Sequence, residues 1–553
     1  MQTQLDYVYA HEKNSPNDIW LTQPMGNGEV RNFTWKEALD QSRRMAAHLS
    51  ALNLPKGSQI ALFAKNNAWW FLADLAIWMA GHVTVPLYPT LAHETIAQIL
   101  EHSESRLIFI GKLDGFEAME PGIPSEMPRI VLPLAPENVM RAEKWSEIVA
   151  NTEPIPGNPN RDPDELATII YTSGSTGTPK GVMHSFRTMA GIRVLNELLF
   201  IDKNDRMLSY LPLAHAMERA VVEAMSMQSG MHVYFAESLD TFVKDLQRAR
   251  PTLFISVPRL WNRFQQGVFA KMPPKKLARL LKIPIVRGIV RKKILTGLGL
   301  DSVRFAGTGS APISADLLNW YRSLGLELLE AYGMSENFCV SHTTRPGEVR
   351  VGYVGRPQEG VEQKLASNGE LLVKSPTTML GYFKAPELTK ETIDDEGYLH
   401  TGDRGEIDDL GRFKITGRVK ELFKTSKGKY VAPAPIENEL MLHDDVEQAL
   451  VAGESMPQPF GMVVLSDAAR EKAKQAGSRD ELSQSLADHL KKTNAHLDPH
   501  EQLEKIVVVR DTWTIENGAL TPTMKVKRTT IEKRYAGQVS GWYAERPRVV
   551  WEQ

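Results

Sequence analysis

Leu166-Ala-Thr-Ile-Ile-Tyr-Thr-Ser-Gly-Ser-Thr-Gly-Thr-Pro-Lys-Gly181 decides how this chain is read. Residues 166–170 form a short apolar run of the kind that makes a buried strand. The eleven residues from Tyr171 are suited to holding phosphate. Gly174, Gly177 and Gly181 permit positive φ and close backbone approach, so that successive N–H groups can converge on an anion. Thr172, Ser173, Ser175, Thr176 and Thr178 add hydroxyl donors, and Lys180 supplies the counter-charge. A Walker A loop is excluded by spacing: it ends in Gly-Lys-Ser/Thr, whereas Lys180 stands between Pro179 and Gly181.

Bulk properties narrow the class. At 553 residues and 62.0 kDa the chain exceeds the size at which one core stops growing, about 250–300 residues, so more than one domain is expected. A net charge of −2, a pI near 6.7 and 24% charged residues give no electrostatic case for a nucleic-acid partner. Cys339 is the one cysteine, which rules out an intrachain disulfide, and the start Met1-Gln-Thr-Gln-Leu-Asp lacks the basic and apolar regions of a secretory leader. A cytoplasmic enzyme is expected. Residues 75–92 carry no Asp, Glu, Lys or Arg, but Gly81, His82, Pro86 and Pro89 break them up. They read as a buried helix over 68–80 and a following strand, since a membrane span needs about 20 cleaner residues.

Apolar runs at 59–64, 106–111, 252–257 and 303–306 alternate with helical stretches, which argues for an α/β fold with parallel sheets covered by helices. From about residue 370 shorter strands and Gly-Asp turns take over, as at Asp394-Asp-Glu-Gly397 and Asp408-Asp-Leu-Gly411. At Gly417-Arg-Val-Lys420 a more charged segment of mixed character begins. The expected division is an N-terminal domain 1–417, a hinge 418–420 and a C-terminal domain 421–553.

The segment from Tyr171 to Gly181 resembles the phosphate-binding signature of the adenylate-forming enzymes, which include acyl-CoA synthetases, firefly luciferase and peptide-synthetase adenylation domains. Leu211-Pro-Leu-Ala-His-Ala-Met-Glu-Arg219 resembles the second motif of that superfamily and puts His215 near the substrate carboxylate. Gly307-Thr-Gly-Ser-Ala-Pro312 and Glu330-Ala-Tyr-Gly-Met-Ser-Glu336 are similar to its adenine-binding turn and its Tyr-Gly-x-Ser/Thr-Glu motif. The resemblance implies that the backbone at Gly309, Ser310 and Ala311 passes close to the purine, and that Tyr332 stacks on it beside Gly333. It implies Ser335 as a donor to phosphate, and Glu336 with Thr172 as ligands of Mg²⁺.

Tyr398-Leu-His-Thr-Gly-Asp403 resembles the motif whose Asp takes both ribose hydroxyls, a task for two acceptor oxygens. Arg418 matches an Arg that contacts ribose or phosphate, and Lys420 falls at the hinge. The segment from Glu516 to Arg528 resembles the catalytic-lysine motif, with Lys525 as the match and Lys527 as runner-up. Lys527 and Arg528 otherwise read as solvated.

The resemblance implies a large N-terminal domain of mostly parallel sheets with a small barrel-like part, and a small mobile α+β C-terminal domain. It implies ATP-driven conversion of a carboxylate to acyl-adenylate and pyrophosphate, after which the coenzyme A thiol displaces AMP. Neither step needs a protein nucleophile. Charge gathers on phosphorus, and Mg²⁺, Lys180, Lys525 and backbone donors answer it. Lys525 would serve the first half-reaction, and the loop Lys424-Thr-Ser-Lys-Gly-Lys-Tyr430 the second.

Lys420-Glu-Leu-Phe-Lys, Tyr430-Val-Ala-Pro-Ala-Pro-Ile-Glu437 and Leu520-Thr-Pro-Thr are similar to the long-chain branch, which points to a long or medium fatty acid. Trp261 matches a gate over the acyl tunnel. Met217, with Met225, Met227 and Met231, offers adaptable thioethers for an acyl wall. Core packing is the rival account of each. Residues 271–293 hold nine Lys or Arg, no acid, and apolar positions such as Leu277, Ile283, Ile285 and Ile289, a composition suited to peripheral membrane contact. Pro273, Pro274 and Pro284 interrupt the run, so a solvated insert is the rival there. Alternatives for the whole chain are an enzyme that stops at the adenylate or loads a carrier protein, one for an aromatic or short acid, and a non-catalytic sensor. Monomer and homodimer are both compatible.

Overall fold

Asn67 starts the most apolar helix of the chain: its side chain accepts the N–H of Trp70 at 3.0 Å. The helix, Ala68–Met79, is buried at all twelve positions, and the strand Val83–Leu87 that follows is buried at all five. The computed structural model describes residues 1–173, 179–311, 313–475, 477–521 and 524–553.

Two units make up the chain, one of residues 1–363, 373–400 and 408–413, the other of residues 364–372, 401–407 and 414–553. In the first, an eight-stranded sheet runs in the order Gly381–Tyr382, Pro179–Ser185, Leu166–Ser173, Val83–Leu87, Gln59–Phe63, Leu107–Ile110, Arg129–Val131 and Ala142–Lys144. From Leu166–Ser173 onward the neighbours pair parallel, while the two strands on its other side pair antiparallel. Leu253–Ser256, Phe305–Thr308 and Leu328–Tyr332 form the parallel part of a second sheet, extended antiparallel by His342–Thr343 and Arg356–Pro357. The run expected at 303–306 becomes a strand two residues later, because Leu253 pairs with Phe305. A third sheet has the order Arg206–Ser209, His232–Phe235, Ile19–Gly26 and Glu29–Thr34.

The barrel-like part expected of the large domain needs correction. The sheets are open, and no closed barrel forms among the described residues. Closure requires tilted, staggered strands, and edge strands such as His342–Thr343 and Arg356–Pro357 run for two residues.

The second unit is built on the sheet Val446–Ala452, Phe460–Leu465, Ile506–Val508 and Val549–Trp551, of which the first pair is antiparallel and the rest parallel. Leu440, Val451, Val463, Leu486 and Ile506 fill one core cluster, and Trp513, Tyr535 and Trp542 anchor another.

One charge set lies inside the main core. Arg219 bonds Asp74 at 2.6 Å and faces Glu223 at 3.4 Å, and all three side chains are fully buried. The Arg219 guanidinium lies over the rings of Trp70 and Trp78, at 4.9 and 5.8 Å. Burial pushes both carboxyls above the ordinary carboxylate range. Arg219→Met leaves two buried acids without a cation and is expected to cost about 3–5 kcal/mol of stability. Urea unfolding checks this, and a loss below about 1 kcal/mol would mean that the acids are held by other means.

Candidate active site

Leu166–Ser173 and Pro179–Ser185 pair antiparallel with Thr172 opposite Lys180 and Tyr171 opposite Gly181. A Cβ on Gly181 would stand 2.7 Å from Ile169 Cγ2 and 3.2 Å from Tyr171 Cζ, so this glycine serves close packing of the strands. Gly174, Ser175, Thr176, Gly177 and Thr178, with the side chain of Ser173, lie outside the described residues. Lys180 projects over the ring of Tyr382, its Nζ 5.6 Å from the centroid.

Tyr382 also donates its phenol O–H to Glu336 Oε1 at 2.8 Å. Burial, and then the Glu336 charge, push that phenol far above its ordinary value, so it stays a donor. The turn Ser335–Asn337 is fixed by further bonds. The Met379 N–H donates to the Glu336 carbonyl at 2.7 Å, and the Thr377 hydroxyl to the Asn337 carbonyl at 2.8 Å. His184 Nε2 bonds the Ser335 carbonyl at 2.7 Å, and burial lowers its pKa to about 4, so the neutral ring donates through Nε2–H. Gly333 has no alternative in size: a Cβ there would meet the Cys339 backbone at 2.6 Å.

This donor set fits Mg²⁺. Tyr382 orients the Glu336 carboxylate, and among the described residues no three His, Cys, Asp or Glu side chains gather into a metal cage. A single carboxylate with the Thr172 hydroxyl suits an ion that keeps waters and rides on nucleotide phosphates.

His215 caps the short helix Ala216–Glu218: its Nδ1 accepts the Met217 N–H at 3.1 Å, which places the ring proton on Nε2. The ring meets Tyr88 edge-on at 6.4 Å. Met217 reaches the glycine turn, where Ser310 Oγ lies 3.9 Å from its sulfur. Ser310 has φ +67°, and both it and Ala311 are exposed. Gly309 packs on the strand leading to Tyr332, since a Cβ would come within 3.1 Å of the Ala331 carbonyl oxygen. Tyr332 tilts against His342 and Phe413, each at 5.9 Å, and burial holds the His342 pKa near 4.

Trp261 is fully buried among Phe254, Phe264 and Tyr321, and its indole N–H donates to the Gly307 carbonyl at 3.1 Å. Met225, Met227 and Met231 are fully buried core residues.

Several residues that hold this site escape a reading of the sequence. Glu218 Oε1 accepts the Ser209 hydroxyl at 2.9 Å, the Tyr210 N–H at 3.0 Å and the Asn66 amide at 3.3 Å. Asn66 also donates to the Leu211 carbonyl at 2.6 Å and accepts the Leu213 N–H at 3.1 Å. The pair pins the loop that leads to His215. Burial raises the Glu218 pKa to about 8. Glu330, across from Thr308, is also raised to about 8 by burial, and its Oε1 has no hydrogen-bond partner among the described residues. Glu218 and Glu330 fall inside quoted motifs, but Asn66, His184 and Tyr382 carry no local signal.

In the second unit Asp403 and Arg418 come together, with Arg418 Nε 3.0 Å from Asp403 Oδ1. The Thr401 hydroxyl accepts the Asp403 N–H at 3.1 Å and donates to the Leu371 carbonyl at 2.7 Å. Lys420 is exposed in the short turn Val419–Glu421. Lys525 is exposed beside Met524, whose φ is +63°, and its N–H donates to the Thr521 hydroxyl at 3.0 Å. Arg528 corrects an expectation: it is not a solvated cation. It donates to the Val451 carbonyl at 2.7 Å and pairs with Glu437.

Fold and site together define a nucleotide-handling α/β enzyme. Residues 9–383 match the AMP-binding enzyme family and residues 421–547 the AMP-binding enzyme C-terminal domain; the chain belongs to this family. A long-chain-fatty-acid–CoA ligase of Mycobacterium tuberculosis is 30% identical over 97% of this chain and 96% of its own length. Human long-chain-fatty-acid–CoA ligase 1 is 31% identical over 88% of this chain and 78% of its own. Among solved structures, the adenylation domain of a carboxylate reductase from Mycobacterium chelonae superposes with a TM-score of 0.81 at 23% identity, covering 98% of this chain and 91% of that one. The O-succinylbenzoate coenzyme A synthetase of Bacillus subtilis, in complex with ATP and magnesium ion, gives 0.73 at 24%, covering 96% and 99%. Among the described residues no helix is long and apolar enough to cross a membrane.

Glu218→Gln keeps the Oε1 acceptor, whereas Glu218→Leu strands the Tyr210 N–H and is expected to cost about 1–3 kcal/mol. The native carboxyl holds its proton to about pH 8, against an ordinary 4.5, so the folded state binds more protons in that window. Stability should therefore fall as pH rises through it, and the Gln variant should show a flatter profile. Thermal unfolding from acid to mildly alkaline pH checks both variants; a profile unchanged in Glu218→Gln would remove Glu218 as a titrating group.

Proposed function

We propose that this protein is an AMP-forming fatty acid:CoA ligase for long- or medium-chain acids. A carboxylate oxygen attacks the α-phosphorus of ATP and pyrophosphate leaves. The coenzyme A thiol then attacks the acyl carbon, loses its proton and expels AMP. One observation carries the reading: Lys180 and Glu336, a phosphate-loop cation and an anchored carboxylate, meet at Tyr382. The relatives named above support the substrate class.

In this reading Glu336 and Thr172 hold Mg²⁺, which neutralises phosphate charge. Residues 172–177 and Lys180 cradle the phosphates, and Ser335 donates to one of their oxygens. His215 presents Nε2–H towards the acid, because Nδ1 is committed to Met217. Gly309, Ser310, Ala311, Tyr332 and Gly333 hold the adenine. Asp403 takes the ribose hydroxyls, while Arg418 pairs with its carboxylate. Met217 lines the acyl side. For Trp261 to act as a gate there, its indole must release the Gly307 carbonyl.

Lys525 stabilises charge on the α-phosphate during adenylation. Residues 421–553 then turn about Lys420 and bring the loop Lys424-Thr-Ser-Lys-Gly-Lys-Tyr430 to the coenzyme A channel. That loop is a hairpin tip: Phe423–Lys424 pairs with Tyr430–Val431, and Gly428 has φ +74°.

Pyrophosphate release with ATP and Mg²⁺, with and without coenzyme A and across acids from acetate to oleate plus benzoate, is expected to peak at a long or medium acid and, with coenzyme A present, to yield acyl-CoA and AMP. Turnover without coenzyme A dependence, or loading of a carrier-protein thiol instead, would displace this reading. Lys525→Ala is expected to slow adenylation by about 10²–10³ while a supplied acyl-adenylate still reacts with coenzyme A. Equal loss of both steps would remove the lysine from its role.

A further inference from the structure

Helix Pro258–Lys271, which carries Trp261, leads into a pair of helices, Pro274–Leu281 and Pro284–Leu298. Pro274 and Pro284 begin these two helices and do not interrupt them. They occupy first-turn positions, where a missing N–H removes no helical bond. The segment is therefore an ordered basic hairpin.

No Asp or Glu occurs between Asp245 and Asp301, and both flanking acids are engaged, with Arg248 at 3.0 Å and Arg250 at 2.8 Å. Of the nine Lys and Arg at 271–293, all but Arg291 are exposed. Arg291 is turned inward to the Ser323 carbonyl at 2.7 Å. Amid this charge stand Ile283, Ile285 and Ile289, exposed at 49%, 82% and 66%. Ile285 and Ile289 share one helix face, being four residues apart. The helix Pro284–Leu298 has no buried residue in its 15, and Leu277 is the one buried residue of its neighbour. Single exposed isoleucines are ordinary. Three within seven residues, amid eight exposed cations at the start of a helix with no fully buried residue, form a face that the described residues do not cover.

We propose that the hairpin 274–298 docks the protein on an anionic lipid bilayer. The isoleucines enter the acyl boundary and the basic side chains rest on headgroup phosphates. Charge complementarity selects this occupant over a neutral surface. The apolar tip selects it over a nucleic acid, whose backbone offers isoleucine nothing. Long-chain acids partition into such bilayers, so the contact would bring the enzyme to its substrate. That benefit rests on the ligase reading; the docking itself does not.

Flotation of the full chain with lipid vesicles tests it. The protein is expected to float with phosphatidylcholine vesicles containing phosphatidylglycerol, to ignore pure phosphatidylcholine, and to dissociate as salt shortens the Debye length from about 10 Å to about 3 Å. Each basic residue near an anionic surface contributes about fivefold in partitioning. The variant Lys275→Gln/Lys276→Gln/Arg279→Gln/Lys282→Gln should therefore bind more than about a hundredfold more weakly. Ile285→Ser/Ile289→Ser should lose at least about tenfold with charge unchanged. Circular dichroism and thermal unfolding like those of the wild type establish that both variants fold. Wild-type binding by either variant, equal flotation on neutral vesicles, or retention of a duplex oligonucleotide without flotation on anionic vesicles would each overturn the proposal. None of these measurements depends on turnover, so their failure leaves the ligase reading standing.

Discussion

The antiparallel return of Pro179–Ser185 beside Leu166–Ser173 is the constraint on which the site of the first unit depends. Everything from Leu166–Ser173 towards Ala142–Lys144 is parallel and could belong to many α/β proteins. The reversed strand sets Lys180 opposite Thr172 and offers its other edge to Gly381–Tyr382. Through that edge Tyr382 reaches both Lys180 and Glu336. Four residues along the same strand, His184 grips the Ser335 carbonyl. A cation, a carboxylate and a hydroxyl-bearing turn are thus spaced by the register of one short strand. A slip of one residue would turn Lys180 to the opposite face.

Burial then decides which groups carry charge. His184 and His342 are held near pKa 4, and Glu218 and Glu330 near 8, each by desolvation. At neutral pH these supporting groups are largely uncharged. His184, His342 and Glu218 act as hydrogen-bonding struts, and all four groups add little field of their own beside Lys180 and Glu336. Neutral, fixed dipoles around a few placed charges are what electrostatic stabilisation requires, because they need not reorganise when charge develops. Arg219 departs from this pattern, paired with Asp74, facing Glu223 and lying over the rings of Trp70 and Trp78 in the core.

Much of the frame was legible in the sequence, and for identifiable reasons. Apolar runs of five or six residues made strands at 59–63, 107–110, 166–173 and 253–256, and a helix without charge except Asp74 was buried throughout. The motif residues Asp403 and Arg418 were read separately and pair at 3.0 Å. What stayed hidden depends on tertiary contact. Tyr382 follows an ordinary Leu-Gly, Asn66 precedes an ordinary helix start, and each matters because of a residue about 46 to 150 positions away. Gly181 looked like a residue needed for positive φ, yet what it supplies is room for Ile169 and Tyr171. The prolines of 273–284 looked like breaks because sequence periodicity does not separate a helix start from a helix interruption.

Arg528 shows how a residue that seemed merely solvated can explain a functional requirement. If Lys525 and the loop 424–430 serve successive half-reactions, the two must move as one body, or a turn of the chain would not exchange them. Arg528, three residues beyond Lys525, donates to the Val451 carbonyl and pairs with Glu437, whose carboxylate also accepts the Val451 N–H at 2.7 Å. Glu437 lies on the helix Pro433–Leu440, and that helix directly follows the strand Tyr430–Val431 of the hairpin. One half-buried pair thus ties the base of the Lys525 turn to the central sheet of its unit and to the element that positions the hairpin. Burial raises the Glu437 pKa and Arg528 opposes the rise, so the link is a partly desolvated ion pair with a rigid fork at one end. Lysine in place of Arg528 could not make both bonds in that geometry. One guanidinium thus joins the turn that bears Lys525 to the strand and the helix that stand behind the hairpin.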